Sequence, residues 1–292
     1  MSPWISAARP RTLPLALSCI FMGSFLAAYA GRFDWLIFGL ACLTTILLQV
    51  LSNFANDYGD TQNGADSHDR QGPSRAVQTG EISAQRMFRA IVIFGGLSLV
   101  SGISLLYVAF SNADSSLFIG FLVLGLLCIL AAYTYTAGKK PYGYAGLGDI
   151  SVLLFFGLVG VLGSNFLYTL SFDAINILPA LSCGLLATGV LNLNNIRDIA
   201  SDTKAGKMTI PARMGKSKGI VYHWVLLISA AVAALAFTLI KGDVSWWFLL
   251  SFPLLILNGT KLAKITNPDP LLKQLALSTL FFVLAFGASL LL

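Results

Sequence analysis

The chain is a succession of long apolar runs separated by short polar ones. Nine runs can be marked: about Leu13 to Ala30, Trp35 to Phe54, Phe88 to Phe110, Leu117 to Tyr135, Leu147 to Tyr168, Ile175 to Asn194, Ile220 to Ile240, Val244 to Leu262 and Leu271 to Leu292. Each approaches the ~20 apolar residues a helix needs to cross ~30 Å of hydrocarbon. The pattern predicts an all-α membrane protein of nine transmembrane helices, a single domain over residues 1–292. The longest polar segment follows the second run. A Gly/Pro-rich loop, Thr136 to Tyr144, follows the fourth, and a basic segment, Arg197 to Lys218, follows the sixth.

Nine spans place alternate loops on opposite sides of a bilayer. On that count every Lys and Arg except Arg32 and Lys241 falls on the side of the N-terminus. The positive-inside rule then puts the N-terminus in the cytoplasm and the C-terminus outside, as expected in a bacterial inner membrane. Composition agrees: 56% of the 292 residues are hydrophobic and 11% charged, against roughly 25% charged in soluble domains. The net charge of +6 therefore reads as membrane orientation, and no nucleic-acid partner is expected. Cys19, Cys42, Cys128 and Cys183 stand singly in apolar runs, as packing residues do. Met1 to Pro14 holds Arg9, Arg11 and three prolines and leads into a run too long for a cleaved signal.

Two runs end in dense polar clusters. The second ends in Asn53-Phe54-Ala55-Asn56-Asp57-Tyr58-Gly59-Asp60, continuing to Gly64 and Asp66. The sixth ends in Asn194-Asn195-Ile196-Arg197-Asp198-Ile199-Ala200-Ser201-Asp202. The two align at an offset of 138 residues, Asn first and Asp last, which suggests two related halves, roughly 1–140 and 141–292, around one site. If the helices continue through the clusters, Asp57 and Asp60 share a face, as do Asp198 and Asp202, with Asn56 and Asn195 beside them. Carboxylates so close repel one another and stay ionised together only with cations between them. An oxygen-only donor set suits Mg2+. Zinc would want His or Cys, and neither His68 nor His223 is placed for it. Arg70, Arg75, Arg197, Lys204, Lys207 and Lys139 lie near the acids in sequence, a mixture that points to a metal-bound polyphosphate, in a membrane a lipid diphosphate. Asp69, Glu81, Lys216 and Lys218 read as a solvated face, and Trp246 and Trp247 as interfacial anchors.

These residues resemble the UbiA superfamily of intramembrane prenyltransferases. Asn56-Asp57-x-x-Asp60 and Asp198-x-x-x-Asp202 match its two Asp-rich motifs, and Tyr135-x-x-x-Lys139 looks like its YxxxK element. The last Asp of the first motif is replaced by Gly64, and Asp66 is the candidate to take its place. The run through Gly64 and Asp66 to Gln71-Gly72-Pro73, the stretch Pro141-Tyr142-Gly143-Tyr144-x-Gly146-Leu147-Gly148-Asp149 and Leu193 to Asp198 are similar to the branch acting on 1,4-dihydroxy-2-naphthoate. The resemblance implies a cytoplasm-facing cavity in a helical bundle. It implies transfer of a prenyl group from a polyprenyl diphosphate to dihydroxynaphthoate, with loss of carbon dioxide and diphosphate. It also implies Mg2+ on Asp57, Asp60, Asp198 and Asp202, to which we add Asp66 by inference, catalytic work by Asp57, Asp60, Asp198, Asp202 and Lys139, and substrate binding by Asn56, Tyr135, Arg70, Asn195 and Arg197. Another acceptor within the superfamily, such as 4-hydroxybenzoate, is the nearest rival. A transporter is a rival of another class, but its polar site would lie nearer the membrane midplane. A CDP-alcohol phosphotransferase would show an Asp-Gly-x-x-Ala-Arg stretch, absent here.

Overall fold

The computed structural model describes residues 2–65 and 72–292; Asp66 and Arg70 lie outside the described residues. Every regular element among these is helical. We number them α1 (Pro3–Ala8), α2 (Leu13–Tyr29), α3 (Trp35–Gln62), α4 (Ala84–Ala109), α5 (Ser115–Thr134), α6 (Gly148–Thr169), α7 (Ile177–Arg197), α8 (Ile199–Lys204), α9 (Ile210–Met214), α10 (Lys216–Lys241), α11 (Phe252–Leu262) and α12 (Asp269–Leu291). Local chemistry sets several starts. The Asp34 carboxylate accepts the N–H groups of Leu36 and Ile37 at 2.8 and 2.9 Å, and Asp114 accepts that of Ser116 at 2.7 Å. Both satisfy backbone donors that a helix leaves open at its first turn.

Among the described residues eight stretches are long and apolar enough to cross a membrane, where the sequence pattern predicts nine. The difference is the eighth run. It begins as five residues of 3-10 helix, Trp247–Ser251, and becomes α-helix only at Phe252, with Pro253 in the first turn, where its missing N–H costs nothing. Eleven α-helical residues follow, and the two pieces together extend roughly 26 Å. Aromatic packing holds the short piece. Phe248 is fully buried, its ring centroid 5.4 Å from that of Phe286 and 6.2 Å from that of Phe282. Phe237 of α10 joins Phe286 from the other side at 5.6 Å.

Helix α3 lies along α4, α7 lies against α6 and α10, and α12 packs on α2. The main core gathers α2, α7, α10 and α12, and a smaller one joins α2 and α3 to the ends of α4 and α6. Helix α5 has no fully buried residue. One face is exposed, and the other lines a cavity of about 400 Å³ bounded also by α2, α3, α4 and α6. Where α6 faces that cavity, Leu153–Gly163, it is wound as π-helix, a rare form that is frequent at functional sites. Helix α3 runs on through its polar cluster to Gln62, so Asp57 and Asp60 are helical residues.

Phe286→Ala removes the ring shared by Phe237, Phe248 and Phe282. It should lower stability by roughly 3–5 kcal/mol, read as an earlier thermal transition of the detergent-solubilised protein; an unchanged transition would contradict this account of the core.

Candidate active site

The polar ends of α3 and α7 meet at one end of the bundle. On α3, Asp57 is buried and turned to the segment that follows the first motif, accepting the N–H groups of Ala76 at 3.3 Å and Val77 at 3.2 Å. Asp60, one turn on, accepts the Tyr144 hydroxyl at 2.9 Å. Between them Gly59 lets another segment close in: a Cβ there would stand 2.5 Å from the Thr136 carbonyl oxygen. Asn63 donates to the same oxygen at 2.9 Å. The Thr136 hydroxyl lies 3.0 Å from the Ala55 carbonyl and 3.1 Å from Asn56 Oδ1. Asn56 and Tyr135 are thereby brought to one wall, while Lys139, three residues past Thr136, is exposed.

Helix α7 stops at Arg197, and Asp198 breaks from helical geometry before α8 begins. That break lets neighbours pair: Arg197 Nε donates to Asp198 Oδ1 at 2.8 Å and Nη2 to Oδ2 at 2.6 Å. Arg197 Nη1 donates to Asp269 at 2.6 Å. The backbone bond from Asp202 N–H to the Asp198 carbonyl, 2.8 Å, keeps the two acids one turn apart. After α8 the chain reverses through Gly206, at φ 72°, and the Lys207 N–H returns to the Asp202 carbonyl at 2.8 Å. This tight turn sends Lys207 into the site. Its Nζ lies 3.5 Å from Asp60 Oδ1, 3.9 Å from Asp202 Oδ1 and 5.3 Å from the centre of the Tyr144 ring.

Lys207 is thus the cation between the two motifs. Burial works to lower its pKa, but Asp60 and Asp202 first, then Tyr135 and Asp198, outweigh burial and raise it above the ordinary lysine value. It stays charged throughout the physiological range. Stability from this arrangement is present below the ordinary lysine pKa and would be lost only as pH rose through the higher value in the folded protein.

Two chambers meet here. The apolar cavity joins a polar one of about 180 Å³, and the shared wall comprises Gln49, Asn53, Asn56, Tyr135, Val152, Phe156 and Leu191. Arg9, Arg11, Asp60, Arg75, Asn195, Lys207 and Lys273 line the polar chamber. Among the described residues no three His, Cys, Asp or Glu side chains converge tightly enough to hold a metal by themselves. His223 is buried between α10 and α11, its Nε2 2.9 Å from Asn258 Oδ1, outside the site. The donors present are carboxylates in pairs. They fit Mg2+, which takes one or two carboxylates and completes its shell with water and substrate phosphate oxygens.

Of the residues picked out from sequence, the structure places Asn56, Asp60, Tyr135 and Asn195 in the lining of the polar chamber, sets Asp202 behind Lys207 at 3.9 Å, and turns Asp57 to the backbone of Ala76 and Val77 and Asp198 to Arg197. It leaves Lys139 in the open and commits Arg197 to ion pairs within the protein. Sequence reasoning passed over Tyr144 and Asp269 as site residues and counted Lys207 only among nearby cations. The available signal for Lys207 was the Gly206-Lys207 turn just after Asp202.

A family model described as the UbiA prenyltransferase family matches residues 16–285. The chain is 49% identical to a 1,4-dihydroxy-2-naphthoate octaprenyltransferase of Haemophilus influenzae, covering 99% of this chain and 95% of that one. It is 46% identical to the protein of the same description in Escherichia coli, covering 98% and 95%. A solved UbiA homolog from Archaeoglobus fulgidus, bound to DMAPP and Mg2+, superposes with a TM-score of 0.64 over 99% of both chains at 16% identity, which shows a shared fold. The protein with these two facing acidic motifs belongs to the UbiA prenyltransferase family.

Proposed function

We propose that this integral membrane enzyme transfers a polyprenyl group from polyprenyl diphosphate to 1,4-dihydroxy-2-naphthoate, releasing diphosphate and carbon dioxide and giving demethylmenaquinol, the reduced form of demethylmenaquinone. The near full-length similarity to two proteins described by that acceptor supports the choice of substrate. The observation that carries the reading is the junction of the chambers. Buried Asp60 and Lys207 line a polar chamber that shares a wall with an apolar cavity of about 400 Å³, where an isoprenoid tail would lie.

In this reading the diphosphate lies in the polar chamber among Lys207, Arg75 and Arg9, with Asp60 and Asp202 as the principal metal donors and Asp57 and Asp198 supporting them. Mg2+, when bound, supplies positive charge for the departing diphosphate. Lys207, already between Asp60 and Asp202, bears on the same oxygens as the allylic C–O bond breaks and its electron pair leaves with the phosphate. Tyr135 and Phe156, on the shared wall, border the carbon left electron-poor, and the apolar lining behind them keeps water from it. The electron-rich naphthoate ring then forms the new C–C bond, and its carboxylate is lost as carbon dioxide. We place Asn56 and Asn195 on the substrate and give Lys139 no direct contact with it. We keep Asp66 as a metal ligand in place of the Asp that Gly64 replaces, and Arg70 on the substrate.

We further read Trp247–Leu262 as the eighth of nine spans, the halves 1–140 and 141–292 as related, and the motif end as cytoplasmic. Exclusion of all Lys and Arg but Arg32 and Lys241 from the other side supports that orientation. It sets the N-terminus inside and the C-terminus outside a bacterial inner membrane.

Purified protein in lipid should convert dihydroxynaphthoate and a radiolabelled polyprenyl diphosphate to a lipid-soluble product only with Mg2+ present. Prenylation of 4-hydroxybenzoate in its place would overturn the acceptor. Asp60→Asn should cut turnover by about 100-fold or more, and near-normal rates would refute the role of the first motif. Lys207→Met should raise KM for the prenyl diphosphate by roughly tenfold or more, since it leaves buried carboxylates without their cation, with Lys207→Arg recovering part of the loss.

A further inference from the structure

Asp269 opens α12 and belongs to neither acidic motif. Its N–H is accepted by Asn267 Oδ1 at 3.0 Å, and it stands at a helix N-terminus, which favours a carboxylate. One carboxylate oxygen accepts Arg197 Nη1 at 2.6 Å, and the other accepts Arg11 Nη1 at 3.3 Å. The Arg197 side chain is 1% exposed and holds both oxygens of Asp198. Arg197 Nη2 also donates to Asn194 Oδ1 at 2.8 Å. The backbone at Gly72 lies directly over the same guanidinium: a Cβ there would stand 2.7 Å from Nη2. The segment after the first motif and the start of α12 therefore meet at one planar cation on the end of α7, and the 3-10 turn Pro10–Thr12 joins them through Asp269.

We infer that Asp269 is a positioning residue for the second motif, fixing the plane of Arg197 and dividing its charge so that Asp198 stays available to the metal–diphosphate. The inference rests on the metal–diphosphate reading of the site. A guanidinium bound bidentately to a single carboxylate competes with metal for both of its oxygens. A second carboxylate on Nη1 draws on the same delocalised charge and stops the group from turning. Arg11 on the outer oxygen completes a chain of alternating sign from solvent to Asp198, so the buried Arg197 charge is compensated from two sides.

The test uses the full chain in detergent or lipid, with inorganic diphosphate and Mg2+ as ligands. The midpoint Mg2+ concentration for thermal stabilisation is measured beside the Mg2+ dependence of turnover. Asp269→Asn should raise both midpoints by about tenfold, as loss of an outer-shell partner does at metal sites, with a smaller effect on kcat at saturating Mg2+. Asp269→Glu, which keeps the charge and guards against a folding failure in the first variant, should restore most of the affinity. Asp173→Asn, which breaks an ion pair with Lys241 away from both motifs, should leave the midpoints unchanged. If Asp269→Asn lowers the metal-free melting temperature while both midpoints stay put, Asp269 is only structural and the inference is overturned. Asp60→Asn separates the two levels. If it abolishes the Mg2+ response while Asp269→Asn does not shift it, only the inference fails. If Asp60→Asn also responds normally, the reading of the site fails with it.

Discussion

Burying carboxylates beside a bilayer is expensive unless each finds a positive partner, and that cost shapes this molecule. Asp60 and Asp202 come from opposite parts of the chain and share one lysine ammonium. Asp198 and Asp269 share one guanidinium. Asp57 accepts two backbone N–H groups, those of Ala76 and Val77. Each solution ties a motif acid to a segment that is remote in sequence. The polar end is thus stitched together by charge, where the remainder of the bundle is held by apolar packing.

The apolar part has its own division of labour. Helices α2, α7, α10 and α12 interlock through fully buried Leu and Phe side chains. Helices α3, α4 and α5 surround a cavity and bury far less, α5 least of all. A close-packed half therefore carries the second motif and Asp269, and a more open half walls the apolar cavity. The break after Arg197 and the Gly206 turn belong to the close-packed half, and the turn aims a lysine five residues past Asp202 at Asp60.

Helices were legible in the sequence because apolar runs of bilayer length have few alternatives. At Val244 to Leu262 hydropathy marks the run but is blind to its form, a 3-10 start fixed by Phe248 and by Pro253. The acids of the two motifs were legible because carboxylates at the ends of apolar runs demand an explanation. The cations were not. Lys139 and Lys207 are both lysines in short loops, and only the tertiary path decides that one is exposed and the other buried. Arg197 reads as a ligand-binding cation by position, yet its partners include Asp269, a residue 72 positions away that carries no motif signature.

The two chambers differ in what they can grip, and the difference gives turnover a direction. The polar chamber, rich in Arg and Lys, holds anions. A prenyl diphosphate and a naphthoate each arrive with an anionic group. The reaction removes both groups, one as diphosphate and the other as carbon dioxide. The quinol that remains is uncharged and keeps only its tail, in a cavity whose walls are much like the surrounding lipid. In the proposed reaction, completing the bond would erase the electrostatic hold on the reactants, so the loss of charge would favour discharge of the product into the bilayer.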